Sequence, residues 1–421
     1  MDTVRRQFIR AGLAFGMAGR ALADTPARRL PSDGDVSPSD DAYWRKVASL
    51  YDVTGEVAQL ENGNFGTMAK SVAAAYAGYL GMVNRRGSYY TRREFYPRYV
   101  GIKERTAAVL GVAPGEIAFT RGATEALMTL IRGYNKLKPG DAVLYADHDY
   151  DSTQAAFEEL KSLRNVEAVK IALPEPATYQ GLIDAYESAL RKNPRVRLML
   201  LTHVSHRDGL VVPVKEIVAL AKRYGVDVIV DSAHAWGQLD FTLPELGADF
   251  VGLTCQKWIG APLGVGLFYI RGERLADIDP AMGNEGRSEG IETRIHTGTA
   301  NFAAFLAVPD ALAVHAAIGA RATERRLRFL RDRWAEALRG RLDILTPTDE
   351  RLTCGITSFR LKGRTSAAEN SALAAELLKR FGIFTVDRSG LAGGACVRVT
   401  PAVFTSQSDI DKLISALKQL A

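Results

Sequence analysis

Cysteine is thinly used in this chain of 421 residues: Cys255, Cys354 and Cys396 are all there is. Three scattered thiols give neither a disulfide framework nor a metal-ligand spacing. Histidine is nearly as scarce, and His203, His206 and His234 with Asp231 match no zinc template, so no metal is expected. After residue 23 no run of about 18 apolar residues follows, which excludes a conventional membrane span in the mature chain. Charge of one sign is lacking too. The net charge is +6, and half of it lies in the first 23 residues, where Arg5, Arg6, Arg10 and Arg20 face only Asp2. That excess is too small to point to nucleic acid. Gly264-Val265-Gly266 lacks the third glycine and the following helix of a dinucleotide fingerprint.

What is present starts at the N-terminus. Arg5-Arg6-Gln7-Phe8-Ile9-Arg10 is a twin-arginine motif; an apolar run from Ala11 to Ala23 follows, and Ala21-Leu22-Ala23 has the small-x-small form of a cleavage site. This order predicts a signal peptide over 1–23, read by the twin-arginine export machinery, and a periplasmic mature protein. A disordered basic tail or an amphipathic anchor is the plain alternative. Residues 24–41, rich in Pro, Ser and Asp, read as a linker, with a helix from about Asp41 to Leu50.

From Glu116 onward short apolar runs alternate with helical patterns: Ile117–Thr120, Ala142–Ala146, Val166–Ile171, Arg197–Thr202, Val226–Val230, Phe250–Thr254 and Val265–Ile270. Such alternation predicts an α/β fold with a mostly parallel sheet, whose ligands bind at the carboxyl ends of the strands. A long helical pattern runs from about Ala303 to Arg339. Runs at Ile356–Leu361 and Val397–Thr400 and a last helix from Ser408 suggest a small α+β domain. The expected division is a large domain over 42–310 and a small one over 311–421.

The chemistry gathers between Asp231 and Lys257. Each follows an apolar strand, and the lysine sits in a mostly uncharged loop running through Gly260, Pro262, Gly264 and Gly266. A buried lysine in such a loop is costly unless it is used. One use fits both residues: Lys257 as the amine that attaches pyridoxal phosphate (PLP), and Asp231 as the anion keeping the cofactor's ring nitrogen protonated.

Eight segments in order carry a family resemblance: LENGNFG at 60–66, TRGATEAL at 120–127, ADHDYDS at 146–152, THVSHRDG at 202–209, VDSAHAWG at 230–237, CQKW at 255–258, TGTANF at 297–302 and VRVTPAVFTS at 397–406. From about Leu60 to the C-terminus the chain resembles class V of the PLP-dependent aminotransferase superfamily, in its isopenicillin N epimerase-like branch. The resemblance implies a fold type I transferase, aspartate aminotransferase-like, working as a homodimer with shared active sites.

It also implies roles. Gly122, Ala123 and Thr124 resemble the phosphate cradle at a helix N-terminus, although Thr124 alone reads equally as an N-cap. Thr254 and Gln256 resemble phosphate contacts; desulfurases often carry His in place of Gln256. His148 resembles the residue that stacks on the cofactor ring, with a structural loop histidine as the alternative. His234 and His206 resemble residues at the ring hydroxyl, His206 standing where many relatives have Asn. Arg398 resembles the arginine that binds the substrate's α-carboxylate, and Asn64 and Gly66 resemble a substrate-side loop. Thr299 resembles the threonine that reaches a partner's phosphate. Arg92, Arg93 and Arg98, interleaved with Tyr89, Tyr90, Phe95 and Tyr96, read as a solvated helix face or as a gate for an acidic or peptidic substrate.

Cysteine desulfurases need a nucleophilic Cys before the carboxylate-binding arginine. Here that interval holds only Cys396, two residues from Arg398 on a predicted strand, which argues for a small strand residue. Export and branch together suggest an enzyme tailoring an amino-acid group of a secreted peptide metabolite, such as a pyoverdine-type siderophore, by transamination, oxidative or epimerase-type chemistry. The alternatives are a carbon–sulfur lyase on a free cysteine derivative and a non-catalytic exported binding protein on the same fold.

Overall fold

A computed structural model describes residues 36–284 and 290–421. The expected signal peptide, and the linker as far as residue 35, lie outside the described residues.

The chain starts with a helix, Asp41–Ala48, whose first turn is capped by Asp40 Oδ1 accepting from the Tyr43 N–H at 3.0 Å. A two-residue strand β1, Ala58–Gln59, and two long helices, Lys70–Arg93 and Phe95–Leu110, precede the main sheet. Seven strands form that sheet: β2 (Ile117–Thr120), β3 (Ala142–Ala146), β4 (Glu167–Ile171), β5 (Val196–Thr202), β6 (Asp227–Asp231), β7 (Phe250–Thr254) and β8 (Gly266–Ile270). Their order is β2-β8-β7-β6-β5-β3-β4. All pairs are parallel except those of β8, which is antiparallel to both β2 and β7. The strand ends fall within a residue of the apolar runs. The reversed strand is not visible in the pattern, because a buried strand reads alike in both directions.

Apolar side chains alternate to two faces and build two cores. Leu144, Met199, Val230 and Leu253 face one; Val143, Leu198, Ile229 and Phe250 face the other. Helices cover both faces, so a ligand can enter only at the strand ends.

The long helical pattern near Ala303 resolves into three helices: Phe302–Leu306, Val308–Ile318 and Ala320–Leu338. The main break is Gly319, whose φ of 92° no helix accepts. Among the described residues no single helix is long and apolar enough to cross a membrane. The small domain has four antiparallel strands, β9 (Leu342–Ile344), β10 (Thr357–Leu361), β12 (Val386–Arg388) and β13 (Cys396–Val399), ordered β12-β13-β10-β9. The short β11 (Ile383–Phe384) pairs in parallel with β1.

That pairing corrects the expected domain division. Ala58 and Leu60 pack with Phe359, Leu377 and Val397 in the small-domain core, so this part of the N-terminal segment belongs to the small domain. Val308, Ala311 and Leu312 still pack in the large-domain core, which places the crossover in the helices around Gly319.

Candidate active site

Asp231 is the last residue of β6, at the centre of the sheet. Its Oδ1 accepts the Ala233 N–H at 2.9 Å. Burial pushes its carboxyl pKa up, opposed by that N–H and by Lys257. Lys257 follows β7, and its Nζ lies 2.8 Å from His234 Nε2. Burial lowers the amine to about 8, against the upward pull of Asp231. Burial also holds His234 well below the usual histidine range, so its ring is neutral beside the amine. The lysine backbone is wedged in place. A Cβ at Gly66 would lie 1.8 Å from the Lys257 carbonyl oxygen, and the Gly66 N–H donates to the Gln256 carbonyl at 2.8 Å.

Two adjoining cavities meet at Lys257. The first, about 610 Å³, opens onto the strand ends and is lined by Gly122, Ala123, Thr124, Asp231, Thr254 and Gln256. The second, about 520 Å³, faces the small domain and is lined by Arg207, Arg388 and Arg398. Asn64, Tyr150, His206, His234 and Lys257 border both. Most of the residues singled out in the sequence therefore stand around one space.

In the first cavity, Gly122 is the N-cap of helix Ala123–Gly133 and no side chain caps the helix. The Thr124 N-cap reading is thereby set aside. The helix's free N–H groups and partial positive charge face the cavity, a ready site for a phosphate. Glu125, the acid in that first turn, is tied to Arg121 Nε at 2.9 Å. Gln256 Oε1 accepts the Gly264 N–H at 2.6 Å, which shapes the glycine loop beneath the cavity.

Three charged residues in one motif hold the next wall. Asp149, fully buried, accepts from the Thr202 N–H and hydroxyl at 2.9 and 2.7 Å and from the Ala146 N–H at 2.7 Å. Burial outweighs those bonds and raises its pKa to about 7. Asp147 accepts the N–H groups of Leu173 and Ala392, the latter from the small domain. His148 bridges Asp147 at 2.7 Å and Asp208 at 3.1 Å through its two ring nitrogens. Burial disfavours its charge, but the two carboxylates more than offset this and raise it to about 10.

The ring-stacking role expected of His148 is therefore corrected. Both its nitrogens are engaged away from the cavity, in a structural imidazolium. The aromatic ring on the cavity wall is Tyr150, two residues on in the same motif, which meets the His206 ring edge-on at 5.0 Å. Alternation is the signal that could have found it: 147, 148 and 149 anchor the turn, and 150 emerges from it.

Thr299 is exposed and borders neither cavity. Arg92, Arg93 and Arg98 are also exposed and line neither, while Phe95 packs on Phe302. Arg398 reaches the second cavity as expected, but its Nη2 already donates to both oxygens of Glu61. Glu61, Arg207 and Arg388 were missed, since nothing local to the sequence distinguishes them from surface charges. All three cysteines are buried; burial raises Cys396 to about 12, so it is an inert thiol. Among the described residues no group of three His, Cys, Asp or Glu side chains could hold a metal ion.

The residues present fit PLP. A low-pKa amine, a buried carboxylate and a helix N-terminus share one cavity, and Nδ1 of His206 and of His234 are buried there without a hydrogen-bond partner.

Known proteins agree. The isopenicillin N epimerase of Streptomyces clavuligerus is 26% identical over 398 residues, covering 90% of this chain and 98% of that protein. A probable chloroplastic L-cysteine desulfhydrase of Arabidopsis thaliana is 28% identical over 275 residues, 61% of this chain and 58% of its own. Among solved structures, the apo cysteine desulfurase of Thermococcus onnurineus NA1 shares the fold with a TM-score of 0.76 at 20% identity, covering 89% of this chain and 97% of that one. The family model for aminotransferase class V matches residues 66–413, and the chain belongs to that family of PLP-dependent enzymes.

Proposed function

We propose that this protein is an exported PLP enzyme that acts at the amino-bearing carbon of an amino-acid group, tailoring a secreted peptide metabolite of the siderophore kind. The observation that carries the chemistry is the Lys257 amine, buried and lowered to about 8 between Asp231 and His234. PLP, when bound, draws electrons from the bonds at the substrate's amino-bearing carbon. Asp231 would set its carboxylate against the ring nitrogen. The N-terminus of helix Ala123–Gly133 would hold the phosphate, with Thr254 and Gln256 beside it. With its pKa lowered to about 8, the Lys257 amine would be neutral enough to move a proton at the substrate's amino-bearing carbon, and His234 Nε2 lies 2.8 Å from it. A guanidinium of the second cavity would orient a substrate carboxylate. Transamination, epimerisation and oxidative chemistry all share this proton step.

The leader motif supports export by the twin-arginine route, which carries folded proteins and so suits an enzyme loaded with its cofactor in the cytosol. Thr299, exposed and away from its own cavity, supports a homodimer in which it serves the partner's phosphate site. A second reading, a carbon–sulfur lyase, is favoured by the likeness to L-cysteine desulfhydrases and needs no cysteine nucleophile.

The test is the secreted metabolite profile of a deletion strain. An accumulating peptide with its amino-acid group unmodified is expected; an unchanged profile would remove the tailoring role. Release of sulfide from cysteine by the purified holoenzyme would select the lyase instead. Replacing Arg5-Arg6 by Lys-Lys should hold the precursor in the cytosol, and normal export would refute the targeting.

A further inference from the structure

The second cavity holds more charge than the chemistry above uses. Both terminal nitrogens of Arg207 are engaged: Nη1 donates to the Ser389 carbonyl, and Nη2 donates to Asp151 at 2.5 Å. Arg398 is engaged as well. Its Nη1 donates to the His206 carbonyl at 2.5 Å, and its Nη2 to Glu61 Oε1 and Oε2 at 2.6 and 2.8 Å. Glu61 Oε1 also accepts the Asn64 N–H at 2.9 Å, so the carboxylate is fixed from two sides. Both partners are buried, Glu61 at 7% exposure and Arg398 at 1%. The chain between them is shaped for the contact, since a Cβ at Gly63 would lie 2.6 Å from Arg398 Nη2.

Arg388 differs. It lies on β12, beside the strand that carries Arg398. Its Nη1 donates to the Asp387 carbonyl at 3.1 Å, while the Glu61 carboxylate stands 3.9 Å from Nη2, beyond hydrogen-bond range. Its buried Nε is unpartnered, as are those of Arg207 and Arg398, so the difference lies at the terminal nitrogens. Arg388 is the guanidinium of this cavity without a carboxylate in hydrogen-bond contact among the described residues.

A substrate carboxylate that took Arg398 would have to expel Glu61 and leave it buried and unpaired, the costly way to break such a pair. If Glu61 stayed, two carboxylates would crowd one guanidinium and repel. At Arg388 an anion breaks no hydrogen bond to a carboxylate, since Glu61 stands 3.9 Å off. We infer that Glu61 is a specificity residue: it closes Arg398 into a fixed ion pair and directs the carboxylate of the amino-acid substrate to Arg388. This rests on the reading of the site as one for amino-acid groups. It replaces Arg398 as the carboxylate receptor and makes Glu61 the reason.

The test uses holoenzyme. Wild type, Arg388→Ala, Arg388→Lys and Glu61→Gln are loaded with PLP, and each is titrated with a panel of L-amino acids and their α-amides while the cofactor's visible band is followed. Wild type should bind acids more tightly than amides. Arg388→Ala should lose that preference by about tenfold or more, Arg388→Lys should recover part of it, and Glu61→Gln, which opens Arg398, should bind the acids several-fold more tightly and the amides unchanged. An unaltered acid-to-amide ratio in Arg388→Ala overturns the inference. So does unaltered acid affinity in Glu61→Gln, or a wild-type band that no acid of the panel perturbs. The band before titration reports that each variant folds and binds cofactor. A wild type without that band would instead sink the reading of the site itself, and the inference with it.

Discussion

The two cavities that meet at Lys257 are built by opposite means. The cofactor side is made from strand ends of one sheet and the first turn of one helix. Its key groups sit at short, regular offsets: Asp231 ends β6, Thr254 ends β7, and Gly122 begins the helix after β2. The substrate side is assembled from three distant stretches, around Glu61, around His206 and around Arg388 to Arg398, and its charges are mostly paired with one another. A sheet can place a charge in an apolar cavity because its backbone is already satisfied. Loops from two domains place charges by pairing them, and the pairs then decide what a substrate can reach.

The sharpest way to break this comparison is Lys257→Ala, which removes the shared wall. Turnover should fall by roughly 10⁴-fold, and the visible band should disappear on gel filtration as PLP dissociates. Retained colour and activity would refute the assignment. Asp231→Asn touches the cofactor side alone. It should cost on the order of 10²-fold in kcat and shift the band, with the acid-to-amide preference unmoved. A change in that preference would show that the two halves are not separable.

His148→Asn acts on the support behind both. It leaves Asp147 and Asp208 buried without their cation, which should cost about 3–5 kcal/mol in urea unfolding at pH 7. The band should stay in place, whereas a shifted band at full stability would restore the ring-stacking role. The pH sign follows from the raised pKa. The imidazole is held at about 10 in the fold against about 6.5 in the unfolded chain. Its contribution is complete below about 6.5 and is lost as pH rises toward 10. The smallest effect is kinetic. PLP uptake by the apoenzyme should rise with pH and level off with a midpoint near 8, because only the neutral amine attacks. A midpoint near 10.4, that of a lysine in water, would place Lys257 in solvent.

The cofactor side was legible in the sequence for the reason that makes it regular. Apolar runs mark strands, and Asp231, Lys257 and Gly122 to Thr124 stand directly after them. The seven strands were legible to within a residue, but the reversal of β8 was not. His148 was placed on the ring because its position after β3 is right, yet Asp147 and Asp208 claim it. Asp208 is sixty residues away in sequence, and no local pattern reports that contact. The same holds for Glu61 and Arg398, which are 337 residues apart. Long-range charge pairing is the information a linear pattern omits, and the substrate side consists of it.

The pairing of β1 with β11 has a mechanical consequence. The chain passes from the small domain to the large one between Leu60 and Ala69, and returns between Leu312 and Leu330. Between the threads the two bodies are also held by the Arg207–Ser389 and Asp147–Ala392 hydrogen bonds and by a buried cluster that joins Val204 and Ala235 to Cys354 and Ile356. The first thread contains Glu61 and the Gly66 that is wedged against Lys257. One short stretch of chain therefore sets both the seat of the lysine and the charge facing Arg398, so the spacing between the two cavities is fixed by the path of the backbone itself.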